Sequence, residues 1–501
     1  MALAPFFDRI YGAVGMHLSV SRKSLSDSLE STVVGIRCGS NLTPNDRIIA
    51  ELTVNLTARL YPKLAITGQE VDVESFKKLA LGINPDIEFV DNAQGETTIC
   101  IGSTGAEGAI YPGASGWVAR VGHEQPMSEG IENPYSASAA SALACSELFR
   151  RIFLRSEAES DLSISLLDFG PSTGEGLELT SESIGEVLFV GVGAVGNAAI
   201  WTMARDKKTR GKLILLDNEE VTLSNLQRYV LASYSDVSEI KVELAAHAML
   251  HSGLLVLTHK STLEGFNPPI GWGQPPTTCI SVDNVDGRRA AQALLPKLIV
   301  NGWTGEGALG ASWHEFARDS ACLACLYQPH GQGLSATQQA ARAFGLSDER
   351  AAALWVTRAP LSDEEREIAA KTLGVEPTAL GPWRDKPIGE LYTDVVCGAV
   401  PLDIGGVGRV EVVPLAHQSA LAGILMAAEL LKRCQPELSS ISQTEALISW
   451  DNILRPAPKS WKKPRPKEAG CICGDQIYQS VYKNKWLTVG SREDFSQIAH
   501  S

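Results

Sequence analysis

The chain has 501 residues, 44 Lys+Arg against 58 Asp+Glu, and a formal charge of -14. At about 100–200 residues per domain this is roughly two to four domains, long enough to bury substantial cores. A 44% hydrophobic and 20% charged composition is that of a globular chain. The negative balance speaks against a general nucleic-acid or anionic-membrane binder. No apolar run approaches the roughly 20 residues of a membrane span, and the opening MALAPFFDRIYGAVG lacks a cationic leader. Ten cysteines in such a length do not make a disulfide framework, and the expected location is the cytoplasm.

In chain order, Thr32–Arg37, Lys63–Thr67, Thr97–Gly102 and Trp117–Val121 read as short strands bounded by Gly, Asn and Pro. Pro134 opens an Ala-rich helix that ends near Leu154, and Ser163–Phe169 reads as another strand. Gly170–Ser183, rich in Gly, Ser, Thr and Glu, reads as a linker. A second α/β unit follows, with strands at Glu186–Val190, Lys212–Leu216, Thr278–Val282, Leu298–Asn301 and Val410–Leu415, then a helix from about His417.

The segments Ala142–Arg151 and Leu425–Arg433 share an Ala-rich face, a Glu, two large apolar residues and a basic end. This is a weak sign of internal duplication. Between Cys325 and Cys397 lie two capping-box patterns, Ser335 to Gln338 and Ser362 to Glu365. Gly345 and Gly374 stand at plausible helix ends, so this stretch reads as a helical insert.

The glycine turn Gly191-Val-Gly193-Ala-Val-Gly196 follows an apolar strand directly. Glycines let the backbone turn tightly and approach phosphates, and the next helix N-terminus favours their charge. Asp217 ends the following strand, where it can bind ribose hydroxyls. This much suits an NAD-dependent dehydrogenase as well as an ATP enzyme. Cys322 and Cys325, with Cys471 and Cys473, make two close pairs that point to metal or thiol chemistry.

Beyond Asp217 the chain reads DNEEVTLSNLQRYVLASYSDVSEIK, with Lys241 thirteen residues after Arg228 and a strand ending Ser281-Val-Asp283-Asn284. With the glycine turn, this set resembles the MoeB/ThiF and ubiquitin-activating-enzyme superfamily. The resemblance implies ATP and magnesium as cofactors. It gives Asp217 the ATP ribose, Asn225 and Arg228 the β- and γ-phosphates, Lys241 the α-phosphate and Asp283 the magnesium, with Asn284 beside it. The chemistry is coherent, because an acyl-adenylating enzyme brings a carboxylate against the α-phosphate, and cations offset that repulsion.

The resemblance also implies structural zinc on Cys322, Cys325, Cys471 and Cys473, although the second pair is C-x-C where the family has C-x-x-C. Cys397, in DVVCGAVPLDIGGVG, matches the family's acceptor cysteine, which takes the acyl group as a thioester. Cys38, Cys100, Cys145, Cys279 and Cys434 read as core. Family members borrow a phosphate-binding arginine from an opposing half, and neither Arg9 nor Arg47 is singled out for that role.

The implied fold is α/β, two Rossmann-like adenylation-type halves arranged as a pseudo-dimer. The expected division is 1–180 an inactive half, 181–326 and 398–468 the active half, 327–397 the cysteine-bearing helical insert, and 469–501 a zinc-binding tail. The expected function is ATP-dependent activation of a ubiquitin-like protein's C-terminus and its transfer to a conjugating enzyme. The layout resembles the activating enzymes of bacterial Bil-type antiphage systems. Activation of a sulfur carrier and a non-catalytic nucleotide-binding scaffold are the alternatives.

Overall fold

The computed structural model describes residues 4–15, 20–103, 105–123, 130–154, 161–181, 183–266, 275–305, 308–328, 336–373, 375–392, 413–435, 437–438, 450–451 and 466–487. The chain divides into a larger unit (Met1–Phe7, Val20–Gln328 and Pro414–Ser501) and a smaller one (Asp8–Ser19 with Pro329–Val413). No helix among the described residues is long and apolar enough to cross a membrane.

The larger unit contains one strand plan twice. In its first lobe, β1 (Val34–Cys38), β2 (Lys63–Thr67), β3 (Glu88–Phe89) and β4 (Thr98–Ile101) form a parallel sheet ordered β3-β2-β1-β4. Three further strands, β5 (Tyr111–Ser115), β6 (Val118–Gly122) and β7 (Leu162–Ser165), form an antiparallel meander. A parallel bridge between Ile99 and Ile110 joins the two sheets, with Cys100 N–H on the Ile110 carbonyl at 2.8 Å. The sequence of neighbours is therefore β3-β2-β1-β4-β5-β6-β7.

The second lobe repeats that sequence. Its strands are β8 (Ser183–Val190), β9 (Arg210–Leu216), β10 (Leu254–His259), β11 (Thr277–Ile280), β12 (Leu298–Thr304), β13 (Ala308–His314) and β14 (Trp450–Asp451). Their order is β10-β9-β8-β11-β12-β13-β14, parallel as far as β12 and antiparallel beyond it. In each lobe a helix lies between the sixth and seventh strands, Pro134–Phe149 in the first and Ala416–Cys434 in the second. These are the two helices whose sequences resemble each other, so the resemblance is one of position in a duplicated α/β fold.

Small residues let the helices meet closely. The Pro134–Phe149 helix starts on a proline, and the Asn133 side chain caps the amides of Tyr135 and Ser136. It is buried along its whole length, against both the Pro44–Ala58 helix and the Ala416–Cys434 helix of the other lobe. A Cβ on Gly423 would stand 2.3 Å from the Val195 carbonyl, so only glycine permits the approach of the Ala194–Met203 helix there. Across the lobes, Lys432 is buried beside Glu429 and donates to the Leu166 and Leu167 carbonyls at 2.7 and 3.2 Å.

Glu147, near the end of the Pro134–Phe149 helix, lies 3.0 Å from Arg150, 3.2 Å from Arg151 and 3.5 Å from His123. Burial disfavours its charge, yet His123 and the two arginines outweigh that and hold its carboxyl down to about 2. A depressed carboxyl stabilises the fold fully above its ordinary value near 4.5, and that contribution is lost as pH falls toward about 2. Glu147→Gln should cost of the order of 3 kcal/mol at neutral pH, the scale for breaking one side of a buried ion pair. In thermal melts the gap to wild type should close as the medium is acidified below about 4.5. An unchanging gap would show that the charge plays no part.

Several elements depart from the sequence reading. The strand expected over Ser163–Phe169 stops at Ser165, because Leu166–Phe169 turns back with Phe169 at φ 64° and its N–H on the Ser165 carbonyl. The expected linker is pinned down: Trp117 N–H donates to the Gly174 carbonyl at 3.0 Å, and Leu179 is buried. Of the strand expected at Val410–Leu415, only 413–415 is described, and these residues lead into the helix as an extended segment.

The smaller unit is helical, with Ala336–Phe344, Asp348–Thr357, Asp363–Leu373 and Ile388–Leu391 around a core that includes Phe344, Leu354, Leu380, Trp383 and Ile388. Ser362 and Glu365 make the expected capping box, and Gly345 ends its helix at φ 67°. Ser335 and Gly374 lie outside the described residues. Asp8–Ser19 groups with this unit, a long-range association that the sequence reading did not contain.

Candidate active site

The glycine turn follows β8. Gly191 has φ 89°, and a Cβ on it would come within 3.1 Å of Val282. A Cβ on Gly196 would stand 2.2 Å from the Gly191 carbonyl. Gly193 caps the Ala194–Met203 helix, and the nearest atom to a Cβ there is the Tyr229 hydroxyl at 3.6 Å. The turn is thus crowded at Gly191 and Gly196, and it leads into the start of a helix, which carries partial positive charge. Asp217, just past β9, accepts from Val192 N–H at 2.7 Å and Glu219 N–H at 2.9 Å. Burial lifts its carboxyl above the ordinary value, although Lys241 and the two amides oppose the rise.

From Glu219 to Lys241 the chain makes a closed loop. Val221 N–H donates to the Glu239 carbonyl and Ser238 N–H to the Val221 carbonyl, both at 2.8 Å; Lys241 N–H reaches the Glu219 carbonyl at 3.1 Å. This closure explains the spacing of thirteen residues between Arg228 and Lys241. It returns the chain to the end of β9, where Lys241 opens the Lys241–Ala248 helix only 3% exposed. Its Nζ pairs with Glu219 and donates to the Tyr229 hydroxyl at 3.1 Å. Burial works against the ammonium, but Tyr229, Asp217 and Glu219 outweigh it, so its pKa lies above that of an ordinary lysine.

Inside the loop, Leu223–Gln227 is a short 3-10 turn, and Asn225 Oδ1 accepts from Thr222 N–H at 3.0 Å. Arg228 follows at its end, half-buried, with its guanidinium 5.9 Å from the Tyr229 ring. Tyr229 was missed by the sequence reading. Its only signal was its place next to Arg228, whereas in the fold its hydroxyl stands between Gly193 and Lys241.

The third strand end adds the acid. Ser281 Oγ donates to the Gly191 carbonyl at 2.7 Å, which ties the loop after β11 to the glycine turn. Asp283 and Asn284 follow, both exposed. Asn284 caps the Val285–Ala293 helix by accepting from Gly287 N–H at 2.6 Å. Arg288, buried within that helix, donates to the Val282 carbonyl, the Asn301 side chain and the Tyr327 hydroxyl, and so fixes the loop. Asp217 is bonded to the glycine turn and Lys241 to Tyr229, with Lys241 and Asp217 in electrostatic reach of each other, while Asp283 and Asn284 stand exposed just past the loop's tie to the turn.

Among its described residues the first lobe has no counterpart to this set. After β2 its chain runs Gly68, Gln69 and straight into the Glu70–Ile83 helix, with neither a strand-end acid nor a long loop. Arg47 there forms a surface pair with Asp72 at 3.0 Å, and Arg9 belongs to the smaller unit.

The two cysteine pairs meet. Cys322 and Cys325 flank the start of a short helix, Leu323–Leu326, and Cys471 and Cys473 sit around the turn Ile472–Gly474. All four are buried, with Sγ atoms within 4.8 Å of one another. The Sγ atoms stand 3.9 Å (Cys322 to Cys325), 3.6 Å (Cys322 to Cys471) and 3.4 Å (Cys325 to Cys473) apart. Metal–sulfur bonds of about 2.3 Å in a tetrahedron demand sulfurs about 3.8 Å apart, so the donor set fits one metal ion. The tighter C-x-C loop does not prevent this. The Cys322 thiol and the Glu468 amide lower the Cys325 thiol, while the hydrogen bond to Cys325 raises Cys322 and burial raises Cys473, so negative charge in the cluster gathers on Cys325. Of the remaining cysteines, Cys38, Cys100, Cys145 and Cys279 are buried and Cys434 is half-buried. Cys397 lies outside the described residues.

The ThiF family model matches residues 170–471, the whole second lobe with the helical unit inside it. The chain belongs to the ThiF family. Membership of this family places it among the ATP-dependent adenylyltransferases. A second model, prokaryotic E2 family C, matches residues 42–154 of the first lobe. The Sinorhizobium fredii protein y4jF is 30% identical over 521 residues, covering 97% of this chain and 98% of that one. Among solved structures, E. coli MccB with MccA-N7isoASN is 16% identical over 58% of this chain and 67% of its own, with a TM-score of 0.34. E. coli MccB with ATP is 19% identical over 38% and 56%, at 0.26. E. coli MccB with succinimide is 19% identical over 29% of this chain at 0.25, and this chain spans 44% of it.

Proposed function

We propose that this ThiF-family protein adenylates the C-terminal carboxylate of a ubiquitin-like protein and then carries the acyl group on Cys397. The observation that carries the reading is the loop closure that brings Lys241 onto the Tyr229 hydroxyl and within electrostatic reach of Asp217, which itself accepts from Val192 of the glycine turn. The triphosphate lies on the glycine turn, the ribose at Asp217, and Asn225 and Arg228 grip the outer phosphates. Asp283 and Asn284 are the residues that would hold magnesium, an oxygen-seeking cation that neutralises phosphate charge when bound.

The substrate's carboxylate oxygen attacks the α-phosphorus, and the bond to the β-phosphate oxygen breaks. An acyl-adenylate forms and pyrophosphate leaves. Lys241 stabilises the charge gathering on the α-phosphate oxygens. The Cys397 thiolate then attacks the acyl carbon, AMP departs and a thioester remains. A conjugating enzyme's thiolate takes the acyl group by exchange and frees Cys397. The prokaryotic E2 match on the first lobe and the helical unit ahead of Cys397 support a conjugation cascade over sulfur-carrier activation. We propose zinc for the four-cysteine cluster, where it would clip the tail to the second lobe. Reduced, metal-binding thiols fit a cytoplasmic protein.

The test is to mix the protein with Mg-ATP and ubiquitin-like proteins encoded beside it. A dithiothreitol-sensitive adduct should appear on this chain, vanish in Cys397→Ser, and leave pyrophosphate exchange in that variant within about twofold, because the first step does not use the thiol. A thiocarboxylate on the carrier, with no adduct on this chain, would establish the sulfur-carrier route instead.

A further inference from the structure

The loop that carries Asn225, Arg228 and Tyr229 is gripped from the other lobe. Arg59 ends the Pro44–Ala58 helix of the first lobe and is 1% exposed. Its Nε donates to Asn55 Oδ1 at 2.9 Å, which fixes the guanidinium on its own helix. Its two remaining nitrogens reach across the lobes, one to the Leu226 carbonyl and one to the Ala232 carbonyl at 2.8 Å. Asn55 Nδ2 donates to the Val230 carbonyl at 2.9 Å. The three carbonyls bracket Arg228 and Tyr229. From the second lobe the same turn is held by Leu231 N–H on Asn197 Oδ1 at 2.7 Å, Gln227 Nε2 on the Pro414 carbonyl at 3.4 Å and Lys241 Nζ on the Tyr229 hydroxyl at 3.1 Å.

We propose that Asn55 and Arg59 are positioning residues for nucleotide binding, so that the first lobe shapes the phosphate-gripping turn of the second. The proposal rests on the nucleotide reading above. Both residues touch protein carbonyls from behind the turn, not the ligand. Two features separate this from ordinary packing. A guanidinium can span carbonyls six residues apart in one rigid fork, which a lysine cannot do. Among the described residues no carboxylate pairs with Arg59, although burying an uncompensated charge is costly. A fixed cation behind a turn that must face a triphosphate adds to the local field that attracts it. Burial lowers the Arg59 pKa to about 9, which leaves it charged at neutral pH.

The test is calorimetric titration of the full-length protein with AMPCPP and magnesium, alongside thermal melts without nucleotide. Arg59→Met should weaken binding roughly 10- to 100-fold, Asn55→Ala about tenfold, and Arg59→Lys should recover part of the loss. Lys432→Met is the control, because Lys432 also crosses between lobes but ends on Leu166 and Leu167. It should lower the melting temperature and leave AMPCPP affinity unchanged. Should Arg59→Met not fold, Asn55→Ala and Arg59→Lys decide the matter. Wild-type affinity in the Asn55 and Arg59 variants would overturn the proposal, as would an equal loss in Lys432→Met. Absence of AMPCPP binding by the wild type would overturn the nucleotide reading and this proposal with it.

Discussion

Lys241→Ala should lower substrate-dependent pyrophosphate exchange into ATP by about 100- to 1000-fold, the scale for losing one preorganised charge at a developing anion. The side chain is buried between Glu219, Asp217 and Tyr229, so its charge is aimed and its ammonium is held on at neutral pH. Removing it leaves Asp217 and Glu219 without that cation at the place proposed for the meeting of a carboxylate and an α-phosphate. Lys241→Arg should recover little, because the broad guanidinium does not fit the space an ammonium fills between Glu219 and the Tyr229 hydroxyl. Melting curves of the apoprotein separate lost chemistry from lost fold. Exchange within about threefold of wild type in Lys241→Ala, with the fold intact, would remove the residue from the catalytic step.

Loss of the four-cysteine cluster should have the largest effect on stability. The wild type should contain about one zinc per chain by elemental analysis, and Cys471→Ser with Cys473→Ser should contain none. Among the described residues the tail also meets the second lobe through Lys485 Nζ on the Leu294 carbonyl at 2.6 Å, Trp486 Nε1 on the Leu295 carbonyl at 2.8 Å, Lys297 over the Trp486 ring, Tyr482 against Phe316 and Lys467 beside Asp319. Without the metal the Gln476–Leu487 helix loses the cysteine cluster that anchors its start. The double variant should therefore lose several kcal/mol and become protease-sensitive within 466–487. Chelation of the wild type should produce the same two changes. A metal-free wild type with an unchanged melting temperature would assign the four thiols to simple packing.

What could be read in the sequence was what the chain places close to itself. The glycine turn, the acid at the end of the next strand and the Arg228–Lys241 spacing are local, and the last is set by backbone bonds within one loop. The capping boxes of the smaller unit are likewise local. Strands such as β5, with Pro112 and Gly113 inside it, and β13, with Gly310, carry turn-forming residues and so escaped notice. They are strands because their neighbours pair with them. The grip of Arg59 on Leu226 and Ala232 spans 167 and 173 residues, and no periodicity or motif reports such a contact. Tyr229 was overlooked for a related reason: its hydroxyl bonds Lys241 at the far end of the loop and faces the backbone of Gly193, more than thirty residues before it. The duplicated strand order left only a trace in sequence, the likeness of two buried helices, since parallel strands need only be apolar to pair.

A crystal structure of the full-length protein with AMPCPP and magnesium tests the nucleotide site most directly. The phosphates should lie on Gly191–Gly196, with Lys241 Nζ on an α-phosphate oxygen, Arg228 on the outer phosphates, the ribose at Asp217 and the metal ion at Asp283. A nucleotide bound elsewhere, or one bound on the glycine turn with Arg228, Lys241 and Asp283 all directed away from it, would contradict that placement.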